Sequence, residues 1–302
     1  MQTETVFDPF ERSITIKYSP ERYDAYPPAA NAWIEGRLVE LNRDREAAAH
    51  ALLLFSFISG QFCPSRGCGV DVAGPLRDLF SPRSVNLTGV DLSPARIPSG
   101  VRTAILHDGT YRTVAAARAR RSDVIFKLSE SAQTTLVGPR NITVSSNFNF
   151  FSPGRGQLNA LIPSIAAALL FSEDAGLGRL VLPIHDLNQS ELDLLNRLSG
   201  LLAAVNIAVE APLLGKNLRT LSELLPDPSS LELFFTEGHE YSNTPDDLSD
   251  FWFVKLLWAR RTGTPKDLDE ATARLQAFSE AGHVFSSWEQ NLIMSRGTDA
   301  HA

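Results

Sequence analysis

The chain has 302 residues, of which 43% are hydrophobic and 21% charged, so it can bury a sizeable core and is not disordered as a whole. Its 28 Lys and Arg residues against 35 Asp and Glu residues give a formal charge of −7. That charge argues against a protein that coats nucleic acid or binds an anionic membrane surface. The longest mostly apolar run, residues 160–171, is too short to cross a bilayer.

The N-terminus and the cysteines bear on the cellular compartment. The polar, acidic start lacks the cationic and apolar segments of an export signal. Two cysteines, Cys63 and Cys68, are too few for a disulfide scaffold or a four-cysteine zinc site. We therefore expect a cytoplasmic protein with reduced thiols that does not act at a membrane.

The first part of the chain predicts a strand and then a helix. Ser13–Tyr18 alternates apolar and polar residues as a half-buried strand does, and a Pro-rich stretch then turns the chain. A helix is predicted from about Ala32 to Leu54, with Trp33 among its apolar residues. We expect residues 1–84 to form an extension that packs on the core.

From residue 85 onward, short apolar runs alternate with helix-like segments, which is typical of repeated βα units and a mostly parallel sheet. The predicted strands are Val85–Leu92, Arg102–Leu106, Asp123–Leu128, Asn141–Ser145, Arg179–Pro183 and Val205–Glu210. The predicted helices are Thr110–Arg120, Gln157–Glu173, Gln189–Leu202 and about Asn217–Leu225. The prediction is a three-layer, Rossmann-like α/β core over residues 85–230.

The C-terminal part, residues 231–302, predicts a helical cap. Thr244 and Thr264 each precede a proline and acidic residues, a pattern that starts helices. These helices are expected over Pro245–Arg261 and Pro265–Ala281. The first carries an aromatic stripe with Trp252 and Trp258, which indicates core packing or a homodimer contact.

Polar, glycine-rich segments follow the predicted strands, and ligands of open parallel sheets bind beyond the carboxyl ends of the strands. Turn residues fill such loops in any α/β protein, so each segment taken alone is weak evidence. Gly154 and Gly156 would let backbone N–H groups approach an anion at a helix start, and Arg155 could bind a phosphate with its guanidinium fork. The segments are Thr88–Ser93, His107-Asp108-Gly109, Ser129–Ser131, Ser152–Gly156, His185-Asp186 and Lys216-Asn217.

Two segments carry a family resemblance over about residues 85–225. Ser152-Pro-Gly-Arg-Gly156 with the following Gln157–Ala168 resembles the strand-to-helix "PGRN" segment of the 7-cyano-7-deazaguanine synthases, which are PP-loop ATP pyrophosphatases. Val209-Glu-Ala-Pro-Leu-Leu-Gly-Lys216 resembles their "EAPL…K" segment. The resemblance implies a ligase-like enzyme that binds a small-molecule or nucleotide-like substrate. It would adenylate a carboxylate or amide with ATP for attack by nitrogen, and a 7-deazapurine acid is the implied substrate.

The resemblance also implies roles for residues. Arg155, Lys216 and Asp108 would be catalytic, and ATP would be bound by Thr88, Gly89, Asp91, Ser93, Gly109, Gly154 and Gly156. Mg²⁺ would be bridged by the nucleotide phosphates, with no transition-metal site in the protein. His107 and His185 each end a predicted strand beside an Asp and could orient a group or shuttle a proton.

The signature loop of that family, Ser-Gly-Gly-x-Asp-Ser, is degenerate in this chain. Its nearest match is Thr88–Ser93, which lacks the second glycine in register, and the family's zinc cysteines have no counterpart after Cys68. The chain is therefore either a divergent enzyme or a non-catalytic pseudoenzyme or scaffold subunit that keeps the fold.

A second family competes for the same residues. Gly67–Gly74 followed by Gly89-Val-Asp-Leu-Ser-Pro94 resembles the Rossmann S-adenosylmethionine methyltransferases. In that interpretation Val70–Val72 is the first strand, and Asp91 holds the ribose hydroxyls of S-adenosylmethionine. It leaves the Ser152–Gly156 and Val209–Lys216 segments unexplained. The three hypotheses remain open at the level of the sequence.

Overall fold

A computed structural model describes residues 1–8, 10, 12–36, 41–93, 96–130, 135–154, 156–225 and 245–295, the first three of the last range by their backbone alone. The chain forms two compact units. The first unit comprises Met1–Asp108 and Arg120–Leu214, and the second comprises Gly109–Ala119 and Gly215–Ala302. Each unit is a separate set of packed elements, and the second is built from two distant stretches of sequence.

The first unit opens with a three-stranded antiparallel sheet in which β1 (Gln2–Asp8), β2 (Ser13–Ser19) and β3 (Asn31–Glu35) are neighbours in chain order. Its inner face buries Ile14, Ile16 and Ile34, and its outer face is largely polar. The strand predicted at 13–18 is confirmed.

The helix predicted from Ala32 is wrong in its first half. Residues 31–35 alternate inward and outward and pair with β2, so cross-strand pairing decides their conformation. The helix α1 covers Arg43–Leu53 and starts at Asn42, whose side-chain oxygen accepts from the backbone N–H groups of Asp44 and Arg45. Trp33 therefore lies on a strand.

The strand predicted over Val85–Leu92 is also wrong. Two short strands lie there, β6 (Asn86–Leu87) and β7 (Val90–Asp91), separated by Gly89 at φ +72°. They pair with β4 (Gln61–Phe62) and β5 (Cys68–Gly69), outside the main sheet. A backbone at positive φ cannot continue an extended strand, which explains the interruption.

The first strand of the methyltransferase interpretation is likewise absent. Val70–Val72 begins the helix α2 (Val70–Leu79). Asp44 accepts a hydrogen bond of 2.6 Å from the N–H of Gly69, directly before this helix. A carboxylate at a helix start is stabilised by the unpaired N–H groups there, and this favours a helix over a strand.

The main sheet contains β8 (Arg102–Leu106), β9 (Val124–Ser129), β10 (Leu136–Val137), β11 (Asn141–Ser145), β12 (Leu177–Val181) and β13 (Ala208–Glu210). Their spatial order is β10-β11-β9-β8-β12-β13, and all pairs are parallel except β10 with β11. The chain thus extends the sheet from β8 in one direction and then returns to extend it from β12 in the other. The predicted mixed α/β class with a mostly parallel sheet is confirmed.

Two helices lie directly on this sheet. The helix α4 (Gln157–Leu170) contacts β8 and β9, and α5 (Gln189–Ala204) contacts β13. The helix α1 packs on α4, and α2 packs on α5. Nearly all of α4 is apolar and buried, as expected for a helix covered on both sides. A 3₁₀ helix, Phe148–Phe151, leads from β11 towards α4.

The second unit is helical in its described part, with α3 (Tyr111–Ala119), α6 (Leu218–Leu224), α7 (Pro245–Thr262), α8 (Pro265–Glu280) and α9 (Ser287–Met294). The predicted helices at Pro245 and Pro265 are confirmed. The Thr264 side chain does not cap its helix and lies 2.9 Å from the Thr262 hydroxyl, while Thr244 lies outside the described residues. Trp252 and Trp258 are buried, which makes them core residues.

The helices also bear on membrane insertion. Within the described ranges, no helix combines the length and the apolar character that crossing a bilayer requires.

Candidate functional site

The sheet reverses its strand order between β8 and β12. The two strands are parallel neighbours, with Ile105 opposite Val181, so their carboxyl ends lie side by side. His107 and Asp108 directly follow β8, and a loop over residues 182–188 follows β12 and contains His185 and Asp186. Ligands of open α/β sheets bind at such a reversal. We call His107, Asp108, Gln157, His185 and Asp186 the switch-point site.

His185 is fixed by the first residue of α4. Its backbone N–H donates to Gln157 Oε1 at 3.0 Å, and its ring Nδ1 lies 3.3 Å from Gln157 Nε2. His185 is 8% exposed, whereas Asp186, its neighbour in sequence, is exposed. His185 and Asp186 therefore have different environments, and their adjacency in sequence does not show that they share a proton.

The other end of the site is the turn after β8. The backbone N–H of His107 donates to the carbonyl of Phe126 at 2.8 Å, which ties the turn to β9. The side chains of His107 and Asp108 are half-buried. Both side chains thus lie between the interior and the solvent, as is required of groups that meet a ligand.

The predicted anion site at the start of α4 is filled by the protein itself. Glu191 Oε1 accepts from the backbone N–H of Leu158 at 3.1 Å, and Glu191 is 7% exposed. Asn188 binds the other carboxylate oxygen at 3.0 Å. Gly156 has φ +120°, and a Cβ there would lie 2.3 Å from Glu191 Oε1. Gly156 therefore admits an internal carboxylate to the place where a phosphate was predicted.

The rest of the Ser152–Gly156 segment is only partly described. The Ser152 hydroxyl donates to the carbonyls of Asn159, at 3.2 Å, and Gly154, at 3.4 Å. Gly154 is exposed and has open space around its Cβ position. Arg155 lies outside the described residues, as does Ser131.

The predicted phosphate loop Thr88–Ser93 does not follow a strand of the main sheet. Arg43 forms an ion pair with Asp91, and the N–H of Ser93 donates to Asp91 Oδ1 at 2.8 Å. The hydrogen bond from Arg43, helped by Ser93, lowers the pKa of Asp91 to about 2. The backbone N–H of Thr88 donates to Phe62 O at 3.0 Å, and the carbonyl of Gly89 accepts from Cys68 at 3.1 Å. These polar groups bind the N-terminal extension.

Two further predicted residues belong to the second unit. Gly109 is buried, and Lys216 is exposed directly before Asn217, whose side chain caps α6 by accepting from the N–H of Thr220 at 2.9 Å. The Glu210 of the Val209–Lys216 segment belongs to the first unit, where its carboxylate forms ion pairs with Arg179 at 2.9 Å and Arg120 at 2.7 Å.

Sequence reasoning missed Glu191 and Gln157 as parts of the site. The pattern Asn188-x-x-Glu191 indicates a helix start, and the structure confirms that α5 starts there. It carries no signal that the Glu191 carboxylate also reaches the start of α4, which lies 33 residues earlier in the chain. Only the packing of α4 beside α5 brings the two together.

The site carries no preassembled metal centre in the part of the chain that is described, where no group of three or more His, Cys, Asp or Glu side chains could hold a metal ion. Comparison of the chain with models of protein families, with curated proteins and with solved structures finds no significant match.

Proposed function

We propose that the first unit is a Rossmann-like domain that binds an adenine nucleotide at the switch-point site, as a divergent PP-loop-type enzyme. The observation that carries the proposal is the reversal of strand order between β8 and β12, because a His-Asp sequence follows each of these strands. His107-Asp108 comes directly after β8, and His185-Asp186 lies in the loop after β12. Such a reversal is the usual nucleotide site of open parallel sheets.

The positions of the two resembling segments support the proposal. Ser152–Gly156 lies between β11 and α4, and the Val209–Leu214 part of the other segment begins in β13, so both lie at carboxyl ends of strands in the main sheet. A PP-loop-type domain would carry its segments at this edge.

The nucleotide phosphates are assigned to the turn that begins with His107 and Asp108. This turn follows β8, the first parallel strand of the main sheet, whereas Thr88–Ser93 follows no strand of that sheet. At the start of α4, Glu191 already accepts a hydrogen bond from the N–H of Leu158, so that N–H is not available to a phosphate. We therefore propose that the phosphates bind at the carboxyl end of β8, beside His107 and Asp108, and not at Thr88–Ser93.

The proposed reaction follows from the resemblance. A carboxylate or amide oxygen of the substrate attacks the α-phosphorus of ATP and pyrophosphate leaves, after which a nitrogen nucleophile displaces AMP. Asp108 would position the ribose or the Mg²⁺ that accompanies the phosphates, and the resemblance assigns the stabilisation of negative charge to Arg155. A 7-deazapurine acid is the proposed substrate, and no step is assigned to a protein-held metal.

Calorimetric titration with AMP, with ATP and Mg²⁺, and with S-adenosylmethionine tests the proposal. We expect AMP and ATP to bind, Asp108→Asn to weaken AMP binding at least tenfold, and Asp91→Asn to leave it unchanged. Loss of AMP binding in Asp91→Asn alone would show that the phosphates bind at Thr88–Ser93. Binding of S-adenosylmethionine that Asp91→Asn abolishes would establish the methyltransferase alternative, and no binding of any ligand would favour a scaffold subunit.

A further inference from the structure

The outer face of the N-terminal sheet contains a cavity of about 520 Å³ that is lined mainly by polar side chains. Its lining residues belong to β2 and β3 and not to the main sheet. Ligand pockets generally have volumes of about 300–1,000 Å³. The cavity is lined by Ser13 and Thr15 of β2 and by Asn31, Trp33 and Glu35 of β3. Ser13 lies directly opposite Glu35, and Thr15 lies directly opposite Trp33, so the lining consists of cross-strand pairs.

The backbone of β3, which forms part of the cavity, is held in place by side chains from outside the N-terminal sheet. The Asn147 side chain accepts from the N–H of Trp33 at 2.8 Å and donates to the carbonyl of Asn31 at 2.9 Å. The Thr135 hydroxyl donates to the carbonyl of Glu35. These bonds fix β3 at three successive outward-facing positions, and a preformed site loses little conformational freedom when a ligand binds.

The lining side chains keep their hydrogen-bonding groups available. Within the described residues, no protein group binds the hydroxyls of Ser13 and Thr15, the amide of Asn31, the indole N–H of Trp33 or the carboxylate of Glu35. Donors and acceptors therefore line the same small volume as an aromatic ring.

We propose that this cavity binds a neutral, hydroxyl-rich ring, that is, a saccharide. The weakly positive C–H face of a sugar ring packs on the electron-rich face of an indole. Vicinal hydroxyls can donate to the Glu35 carboxylate and exchange hydrogen bonds with Asn31, Ser13 and Thr15. Among the described residues, no cationic side chain lines the cavity, so a phosphate or carboxylate ligand would meet the Glu35 charge unpaired. A single aromatic ring is also less than the cage that quaternary ammonium ligands use.

Ligand-observed NMR titration of the full chain with maltotriose, chitotriose, guanosine and choline tests the proposal. We expect one of the two saccharides to bind, Trp33→Ala to weaken that binding at least tenfold, and Glu35→Gln to weaken it several-fold. Trp288→Ala removes an indole that is 54% exposed on α9 and should leave binding unchanged. Thermal unfolding of each variant checks that the fold is retained.

Three results would overturn the proposal: no binding of either saccharide, saccharide binding that survives Trp33→Ala, or binding of guanosine or choline that Trp33→Ala abolishes. AMP binding in the same variants gives an independent reference. Because no lining residue belongs to the switch-point site, the saccharide site and the nucleotide site can succeed or fail separately.

Discussion

Replacing Gly156 by alanine tests the internal capping of α4 by Glu191. The backbone at Gly156, with φ +120° and ψ 154°, lies in a region that is essentially restricted to glycine, where another residue costs about 1–3 kcal/mol. The new Cβ would also lie 2.3 Å from Glu191 Oε1, so the carboxylate must move away from the N–H of Leu158. A lost hydrogen bond to a charged group adds about 1.5–3 kcal/mol.

The expected loss for Gly156→Ala is therefore roughly 2.5–6 kcal/mol, a large fraction of the stability of a typical domain. Urea unfolding followed by circular dichroism measures it. Gly154→Ala is the matched control, because Gly154 also has a positive φ of +141° but nothing within 4 Å of its Cβ position. It should cost about 1–3 kcal/mol, the strain alone.

A double-mutant cycle separates the two contributions to the Gly156→Ala effect. In a Glu191→Ala background, Gly156→Ala no longer displaces a carboxylate and should cost about as much as Gly154→Ala. A coupling of about 2 kcal/mol between positions 156 and 191 is expected. Equal effects of Gly156→Ala with and without Glu191 would refute the reasoning.

Three further predictions concern titratable groups. Arg43 lowers the pKa of Asp91 to about 2, so the ion pair contributes to stability above pH about 4, and this contribution is lost as the pH falls through 2. An NMR titration should show a higher Asp91 pKa in Arg43→Gln. Burial lowers the pKa of His50 from 6.5 to about 4, so stability should fall as the pH drops from 6.5 towards 4, and a His50→Gln variant should lack this slope in urea unfolding. Burial raises the pKa of Cys68 to about 11, so iodoacetamide at pH 8 should label the half-buried Cys63 well before Cys68, as mass spectrometry can show.

The βα rhythm of the chain was predictable where each strand is central and apolar. Strands such as Arg102–Leu106 and Val124–Ser129 are short apolar runs buried in a parallel sheet, and the helices between them carry their own start signals. These signals are local, so the sequence alone suffices to locate the elements. The spatial order of the strands is not local, and the reversal between β8 and β12 became visible only in the structure.

The wrong predictions share a physical cause, which is pairing over a distance. Residues 31–35 contain helix-compatible apolar spacing, yet they form β3 because β2 offers a complete ladder of partners. Residues 85–92 look like one strand, yet Gly89 at positive φ divides them between two partners, β4 and β5. For residues 31–35 the partner strand decides the outcome, and the local pattern does not contain it. For residues 85–92 Gly89 breaks the strand locally, and only the structure shows which partners the two halves take.

Contacts between distant parts of the chain also supply internal partners for two of the predicted ligand-binding positions. Asp91 pairs with Arg43, and the start of α4 pairs with Glu191, so the protein's own side chains satisfy both positions. If phosphates bind beside β8, removing the Glu191 charge should leave AMP affinity unchanged. If they instead bind at the start of α4, Glu191→Gln removes a competing anion and should tighten AMP binding several-fold. Calorimetric titration of this variant thus distinguishes the two positions, and tighter binding would show that the assignment to the turn after β8 is wrong.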